Sequence, residues 1–243
     1  MTGDVPTAMN NPVVLTTHGL QAFYGDAQAL FGIDFELRRG EVVAIIGANG
    51  AGKSTFLKCL TGLVKAERDA IRYAKEGIGG IPPGEIVKKG IAMVPEGRRL
   101  FPSLTVEENL LMGAFAGRKG SWNLERLFAM FPILKEKRAL PSGALSGGQQ
   151  QMVAIGRALM SNPDVLLCDE LSLGLAPIVI KEIYDALPSI IGDGMSVVVV
   201  EQDVSLAQQV SQRVYCYQEG RVSLEGASQS LTREQISEAY FGV

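Results

Sequence analysis

The chain has 243 residues, 47% of them hydrophobic and 20% charged, and a formal net charge of −3. That length admits one large α/β domain or a core with an inserted subdomain, and the composition is that of a foldable globular chain. The mild acidic balance excludes the basic surplus expected of a domain that wraps nucleic acid.

Residues 1–11 are polar, carry Pro6, Asn10 and Asn11, and lack the apolar stretch of a signal peptide. They are expected to form a frayed tail. No apolar run approaches the roughly 20 residues that span a bilayer. Cys59, Cys168 and Cys216 are far apart and form no C-x-x-C pair. They are expected as small buried hydrophobes in a reducing cytosol.

Residues 13–17 and 32–37 read as strands, with Tyr24-Gly25-Asp26 in a loop between them. Residues 42–46 are continuously apolar and β-branched, the pattern of a parallel strand buried on both faces. A glycine-rich loop follows, then a helix over 54–63. Residues 64–92 are dominated by Gly77, Gly79, Gly80, Pro82, Pro83 and Gly84, which is loop chemistry with room for short strands. Thr105-x-x-Glu108 is a capping box that opens a helix through Leu110, Leu111 and Ala114. Leu124, Leu127, Phe128 and Phe131 share one helix face, which Pro132 terminates. Met152, Ile155 and Leu159 mark a further helix that ends at Asn162-Pro163. Strands return at 165–168, 196–200 and 214–217, and Glu219-Gly220 turns into a strand over 221–224. The pattern predicts one domain over 1–243, with an α/β core from 1–96 and 161–243 and a helical subdomain over 97–160.

Three pieces carry chemistry. Gly47-Ala48-Asn49-Gly50-Ala51-Gly52-Lys53-Ser54-Thr55 matches the P-loop pattern between a buried strand and a helix. Its glycines let backbone N–H groups curl around phosphates, and the helix dipole points at them. Lys53 is expected on the β- and γ-phosphates of ATP, and the Ser54 hydroxyl on Mg²⁺. Asp169-Glu170 ends an apolar strand. Asp169 is expected to hold Mg²⁺ through water, and Glu170 to orient or deprotonate the attacking water. Leu145-Ser146-Gly147-Gly148-Gln149 opens a helix with free N–H donors and a small hydroxyl, which is a second anion cradle. One ATP has no use for two cradles in the same subunit, so its ligand is expected to be the γ-phosphate of a partner's ATP.

In this order the pieces resemble ABC-type ATPases, which work as head-to-tail dimers with ATP at the seam. The resemblance covers about residues 13–243 and implies a P-loop NTPase (RecA-like) α/β core with N-terminal antiparallel strands and an inserted helical signature subdomain. It implies ATP and Mg²⁺ as cofactors, Lys53, Glu170 and Gln202 as catalytic, and residues 47 and 49–55 on ATP. It places Tyr24 on adenine, although Phe23 and Tyr24 read equally as core residues. Ser146, Gly147, Gly148 and Gln149 are implied to act on the partner's nucleotide, and Ser54, Glu96 and Asp169 on the metal. Val94-Pro95-Glu96-Gly97-Arg98-Arg99-Leu100-Phe101-Pro102-Ser103-Leu104-Thr105-Val106-Glu107-Glu108-Asn109-Leu110, Ser172-Leu173-Gly174-Leu175-Ala176-Pro177 and Val200-Glu201-Gln202 are similar to the LivF-type subunits of branched-chain amino acid importers. Related urea and short-chain amide importers are similar too.

Glu96 stands where the general pattern has glutamine, Gln202 where it has histidine, and Ala176 where it has aspartate. The LivF-type group shares these three departures. Leu171, where proline is usual, is a fourth that it does not typically share. The lone histidine, His18, lies far from the switch position and is expected to be structural. The implied partners are a second ABC ATPase subunit, membrane permeases docked around Glu96 and the helical subdomain at the cytoplasmic face of the membrane, and indirectly a solute-binding protein. A soluble ABC ATPase acting on DNA or ribosomes is disfavoured. Only 92 residues separate Lys53 from Leu145, without heptads or cysteine pairs, and the chain carries one cassette. A scaffold that binds ATP without hydrolysing it is opposed by Glu170 and kept open by Gln202.

Overall fold

Two burial patterns build two sheets in the computed structural model, which describes residues 11–241. The expected tail falls on residues 1–11, of which only Asn11 is among the described residues. β1 (Val13–Tyr24) and β2 (Ala27–Arg38) pair as a long antiparallel hairpin. Leu15, Leu20, Ala22, Leu30, Ile33, Phe35 and Leu37 are its buried positions. β4 (Ile71–Tyr73) and β5 (Glu76–Gly77) complete a sheet of order β2-β1-β4-β5. Both long strands outrun their predicted spans. Pairing continues to Tyr24 opposite Ala27, so Tyr24 closes β1 and only Gly25-Asp26 turns, with Gly25 at a φ of 59°.

The second sheet has the order β10-β9-β3-β8-β7-β6. Its parallel strands are β3 (Val42–Ile46), β6 (Ile91–Val94), β7 (Val165–Asp169), β8 (Ser196–Val200) and β9 (Arg213–Gln218). β10 (Arg221–Ala227) folds back antiparallel. Every residue of β3, β7 and β8 is buried, as expected for strands covered on both faces. The predicted strands agree at these core positions because continuous apolar runs admit no other placement.

α1 (Lys53–Leu60) follows β3. Residues 64–92 differ most from expectation. They contain α2 (Pro83–Lys89), opened by the prolines that read as loop and closed by left-handed Gly90, and then β6. Proline lacks the N–H that the first helical position leaves unpaired, so it suits a helix start. Between β6 and β7 lie α3 (Val106–Gly113), α4 (Leu124–Met130), α5 (Pro132–Glu136) and α6 (Gly147–Leu159). Thr105 and Glu108 form the reciprocal capping box. Pro132 ends α4 as predicted and also opens α5. The sequence reading did not single out α7 (Pro177–Asp185), α8 (Leu187–Ile191), α9 (Val204–Val210) or α10 (Arg233–Phe241).

The six-stranded sheet lies between two apolar layers. On one face Phe35, Phe56, Tyr215 and Tyr217 join β1, β2 and α1 to the sheet, with the Phe35 and Phe56 rings 5.1 Å apart in an edge-on contact. On the other, Leu110, Leu127, Met152 and Leu159 pack with Ala92, Leu166, Val197 and Val199. Cys59, Cys168 and Cys216 are free and buried, as expected.

Asn109 of α3 is fully buried and organises the loop that leads into the helical region. Its Oδ1 accepts from the Phe101 amide at 2.9 Å, and its Nδ2 lies 3.0–3.2 Å from the Phe101, Leu104 and Thr105 carbonyls and the Ser142 hydroxyl. Asn109→Ala leaves the Phe101 amide without an acceptor and removes one donor from each of the three carbonyls, and denaturant unfolding should show a loss of roughly 1–3 kcal/mol.

Candidate active site

Four neighbouring parallel strands, β3, β8, β7 and β6, end at one edge of the sheet. Their carboxyl ends deliver Gly47, Gln202, Asp169 with Glu170, and Glu96, although Gly47 and Gln202 lie 155 residues apart in the chain. Ligands of open α/β sheets bind at that edge. A cleft of about 720 Å³ opens there, lined by Asn49, Gly50, Gly52, Lys53, Ser54, Thr55, Glu96, Glu170 and Gln202, with Gln28, Ala29, Phe31, Leu173, Glu219 and Gly220 at its walls.

The loop between β3 and α1 needs its glycines for space as well as for φ. A Cβ on Gly47 would stand 2.3 Å from the Tyr217 carbonyl oxygen, and one on Gly52 2.7 Å from Leu30 Cδ2; their φ angles are 149° and 98°. Gly52 precedes α1 and no side chain caps the helix, so its first turn offers unclaimed N–H donors to a phosphate. Ala51 is buried and contributes backbone only. Tyr24 and Phe23 are each about half exposed, which removes the core reading. The Tyr24 hydroxyl lies 3.4 Å from Thr55 Oγ1, which sets Tyr24 beside the cleft.

Lys53 is buried and donates to the Gly47 and Ala48 carbonyls at 2.6 and 3.1 Å. Burial lowers its pKa, against the opposing pull of Glu170 and Asp169. Ser54 Oγ donates to Asp169 Oδ1 at 3.0 Å. Burial pushes the Asp169 carboxyl up to about 6; the Ser54 hydrogen bond holds it down, while Glu170 and Glu96 push it further up. Glu170 sits in the left-handed region at a φ of 51°, uncommon for a side-chain-bearing residue. Its amide donates to the Val200 carbonyl at 3.0 Å. Its Oε1 is 3.9 Å from Lys53 Nζ, and its Oε2 accepts from Gln202 Nε2 at 2.7 Å. The same Gln202 nitrogen donates to Asn49 Oδ1 at 3.2 Å. Gln202, which stands at the switch position, thus holds the Glu170 carboxylate. Among the described residues no group of three His, Cys, Asp or Glu side chains is placed to bind a metal. The oxygens of Ser54, Asp169 and Glu96 suit Mg²⁺, which keeps water and phosphate oxygens in its shell and needs few protein ligands.

Ser146 caps α6, and it shares a capping box with Gln149. Gly148 is required by packing, because a Cβ there would stand 2.5 Å from Val179 of α7. Ser146, Gly147, Gly148 and Gln149 do not line the cleft. α6 reaches it indirectly. Gly97, Arg98 and Arg99, which follow Glu96, have φ of 69°, 65° and 47°. Arg157 of α6 donates to the Arg98 and Arg99 carbonyls at 3.0 and 2.8 Å, and Arg98 donates to Gln150 at 3.3 Å. Sequence reasoning gave Arg157 no such role, and no local signal reveals three successive left-handed residues.

An ABC transporter family model matches residues 30–172. The chain is 44% identical over 232 residues to the high-affinity branched-chain amino acid transport ATP-binding protein BraG of Pseudomonas aeruginosa, covering 94% of this chain and all of that one. It is 32% identical to the probable branched-chain amino acid transport ATP-binding protein LivF of Archaeoglobus fulgidus, over 95% of this chain and 99% of that one. The chain belongs to the ABC transporter family. Its fold is similar to a dimeric ATP-binding cassette in a post-hydrolysis state with ADP and phosphate, at a TM-score of 0.79 and 27% identity, covering 89% of this chain and all of that one. It is an ABC-type ATPase with a P-loop α/β fold.

The structure gives two departures from the general ABC pattern a physical account. Leu171 is buried in the apolar layer that α6 and α7 share, so the residue after Glu170 serves as a core anchor. Ala176 precedes α7 and offers its first turn only a backbone carbonyl, which accepts the Val179 and Ile180 amides at 2.9 and 3.1 Å, with no side-chain cap. His18 is exposed on β1 and does not line the cleft.

Sequence reasoning also missed Glu201. Its carboxylate is buried at the end of β8 and accepts from the Ser172 amide at 3.2 Å, the Ser172 hydroxyl at 2.5 Å and the Tyr184 hydroxyl. Burial raises its pKa, and the Ser172 and Tyr184 donors oppose that rise. The one available signal was a carboxylate directly after a buried strand.

In the metal-free protein the Asp169 carboxyl should titrate near 6, above the usual carboxylate range. Ser54→Ala removes a donor to the ionised form and should move the midpoint up. Glu170→Gln removes a neighbouring negative charge and should move it down. Carboxyl chemical shifts followed against pH would read both displacements.

Proposed function

We propose that this chain is the ATP-hydrolysing subunit of an importer of branched-chain amino acids, seated on permease subunits at the cytoplasmic face of the membrane and served indirectly by a solute-binding protein. The substrate class rests on similarity to BraG and LivF. No helix among the described residues is long and apolar enough to cross a membrane. Exposed Phe101, Leu111, Met112 and Phe115 support a permease seat on the helical region, Phe115 being 85% exposed.

One observation carries the mechanical reading: the signature turn at Ser146–Gly148 lies outside the cleft that its own P-loop builds. A head-to-tail partner would bring that turn over the γ-phosphate and close each site. Lys53 and the first turn of α1 hold the phosphates, and Tyr24 lies beside the base. Ser54 and Asp169, with Glu96 nearby, would hold Mg²⁺, which would supply neutralisation of phosphate charge. Glu170 accepts a proton from the attacking water, and Gln202 fixes the carboxylate by its amide. Gln202 cannot shuttle a proton near neutral pH, so its contribution is hydrogen bonding alone.

Glu170→Gln keeps shape and hydrogen bonding but loses the base. ATP should still bind and dimers should accumulate, with steady-state turnover down by a factor on the order of 10² or more; near-normal turnover would remove Glu170 from the chemistry.

Ser146→Arg and Lys53→Ala subunits should each be inactive alone. Mixed, they assemble one complete site from the P-loop of the first and the signature of the second. Recovery of nucleotide trapping in the mixture is expected, and complete absence of recovery counts against action across the dimer.

A further inference from the structure

Glu201 immediately precedes Gln202 in the chain and makes its contacts away from the cleft. Its backbone amide donates to the Ile45 carbonyl at 3.1 Å, which fixes the end of β8 against β3 just before the P-loop. Its carboxylate turns toward the loop that follows Glu170. One oxygen takes the Ser172 amide and the Tyr184 hydroxyl, and the other takes the Ser172 hydroxyl. One residue back, the Val200 carbonyl accepts the Glu170 amide. Residues 170–172 are therefore suspended from residues 200–201 at both ends, with Leu171 buried between the two attachments.

We infer that Glu201 is a positioning residue for hydrolysis: by latching Ser172 and Tyr184 to the end of β8, it fixes the left-handed turn at Glu170 and so the contact between Glu170 and Gln202. A two-residue tether is a short lever. Glu170 must hold a φ that its side chain disfavours, and a strained conformation persists only where its surroundings over-determine it. The Val200 bond, the Leu173 amide on the Glu170 carbonyl at 3.3 Å and buried Leu171 hold the turn itself, but none of them ties the Ser172 side chain to β8. The Glu201 carboxylate supplies the second fixed point, and Tyr184 extends it into α7, the helix that packs on Gly148 of the signature turn. A carboxylate buried with three donors also has no role that an apolar side chain of its size could fill.

The inference rests on Glu170 being the catalytic carboxylate, and the experiment separates the two claims. Steady-state ATPase activity and Mg-ATP affinity by calorimetry are measured on the full chain for Glu201→Ala, Glu201→Gln, Ser172→Ala, Tyr184→Phe and the Ser172→Ala/Glu201→Ala double variant, with Glu170→Gln alongside. Glu201→Ala should lower kcat roughly 10- to 100-fold, the scale on which misplaced groups act, with Mg-ATP affinity close to the parent; its buried donors lose their acceptor, so the melting temperature should fall and kcat is read well below it. Glu201→Gln should recover most of the rate. Its carbonyl can accept from the Ser172 amide and the Tyr184 hydroxyl, and its amide can donate to the Ser172 oxygen. Ser172→Ala and Tyr184→Phe should each show part of the loss, and Ser172→Ala should add little to Glu201→Ala.

Parental kcat in Glu201→Ala, beside an inactive Glu170→Gln, overturns the latch. So does a Glu201→Gln as impaired as Glu201→Ala, because that outcome assigns the effect to charge. Should Glu201→Ala fail to fold, Ser172→Ala and Tyr184→Phe decide, and parental kcat in both overturns it. Normal turnover by Glu170→Gln would instead refute the underlying assignment, whatever the Glu201 variants do.

Discussion

Complete burial of β3, β7 and β8 on both faces governs the rest of this molecule. A strand covered above and below has no face left for function, so chemistry can emerge only where the strands end. Parallel order puts those ends at one edge, and the neighbours β3, β8, β7 and β6 bring the P-loop, Gln202, the Asp169-Glu170 pair and Glu96 to a single cleft. The apolar layers on either face hold the strands in register. The catalytic geometry is thus a consequence of core packing, and the loops need only short reaches to meet.

Those loops hold several backbone conformations that side chains disfavour. Gly47 and Gly52 adopt theirs because a Cβ would strike Tyr217 and Leu30. Glu170 and the Arg98-Arg99 pair have no such excuse and are held by hydrogen bonds from outside their own loops. Arg157 supplies two of these to the loop after Glu96, from the helix that carries the signature turn. α6 is therefore hydrogen-bonded to the loop two and three residues beyond Glu96. This is a physical connection between the part of the chain suited to meet a partner and the part suited to hold the metal.

Much of this was legible in the sequence. The strands at 42–46, 165–168 and 196–200 could be read because short, nearly continuous apolar runs bounded by turn residues suit strands buried on both faces. The capping box at Thr105 could be read because a cap is decided by residues three apart, whereas Ser146, read for a partner's nucleotide, also proved to cap its own helix through Gln149. Less legible was residues 64–92, where Pro82, Pro83 and Gly84 fit a loop and a helix start equally well. Tyr24 also differed from expectation: the cross-strand partner that extends β1 to it lies beyond the turn. The helices after residue 176 are short and bury few positions, two of nine in α7 and one of seven in α9.

The sequence by itself determined the local motifs: a P-loop pattern, a carboxylate pair after a buried strand and a Ser-Gly-Gly helix start, each set by residues within a few positions of one another. Tertiary structure alone decided how these pieces meet. It set Gln202 on Glu170, left Ser146–Gly148 outside the cleft of its own chain, made Leu171 a core anchor and gave Glu201 three donors from two other elements. The physical reason is range. Backbone curvature, capping and dipoles act over a few residues and are written locally, whereas burial and hydrogen-bond partners depend on which distant segments the folded sheet makes neighbours.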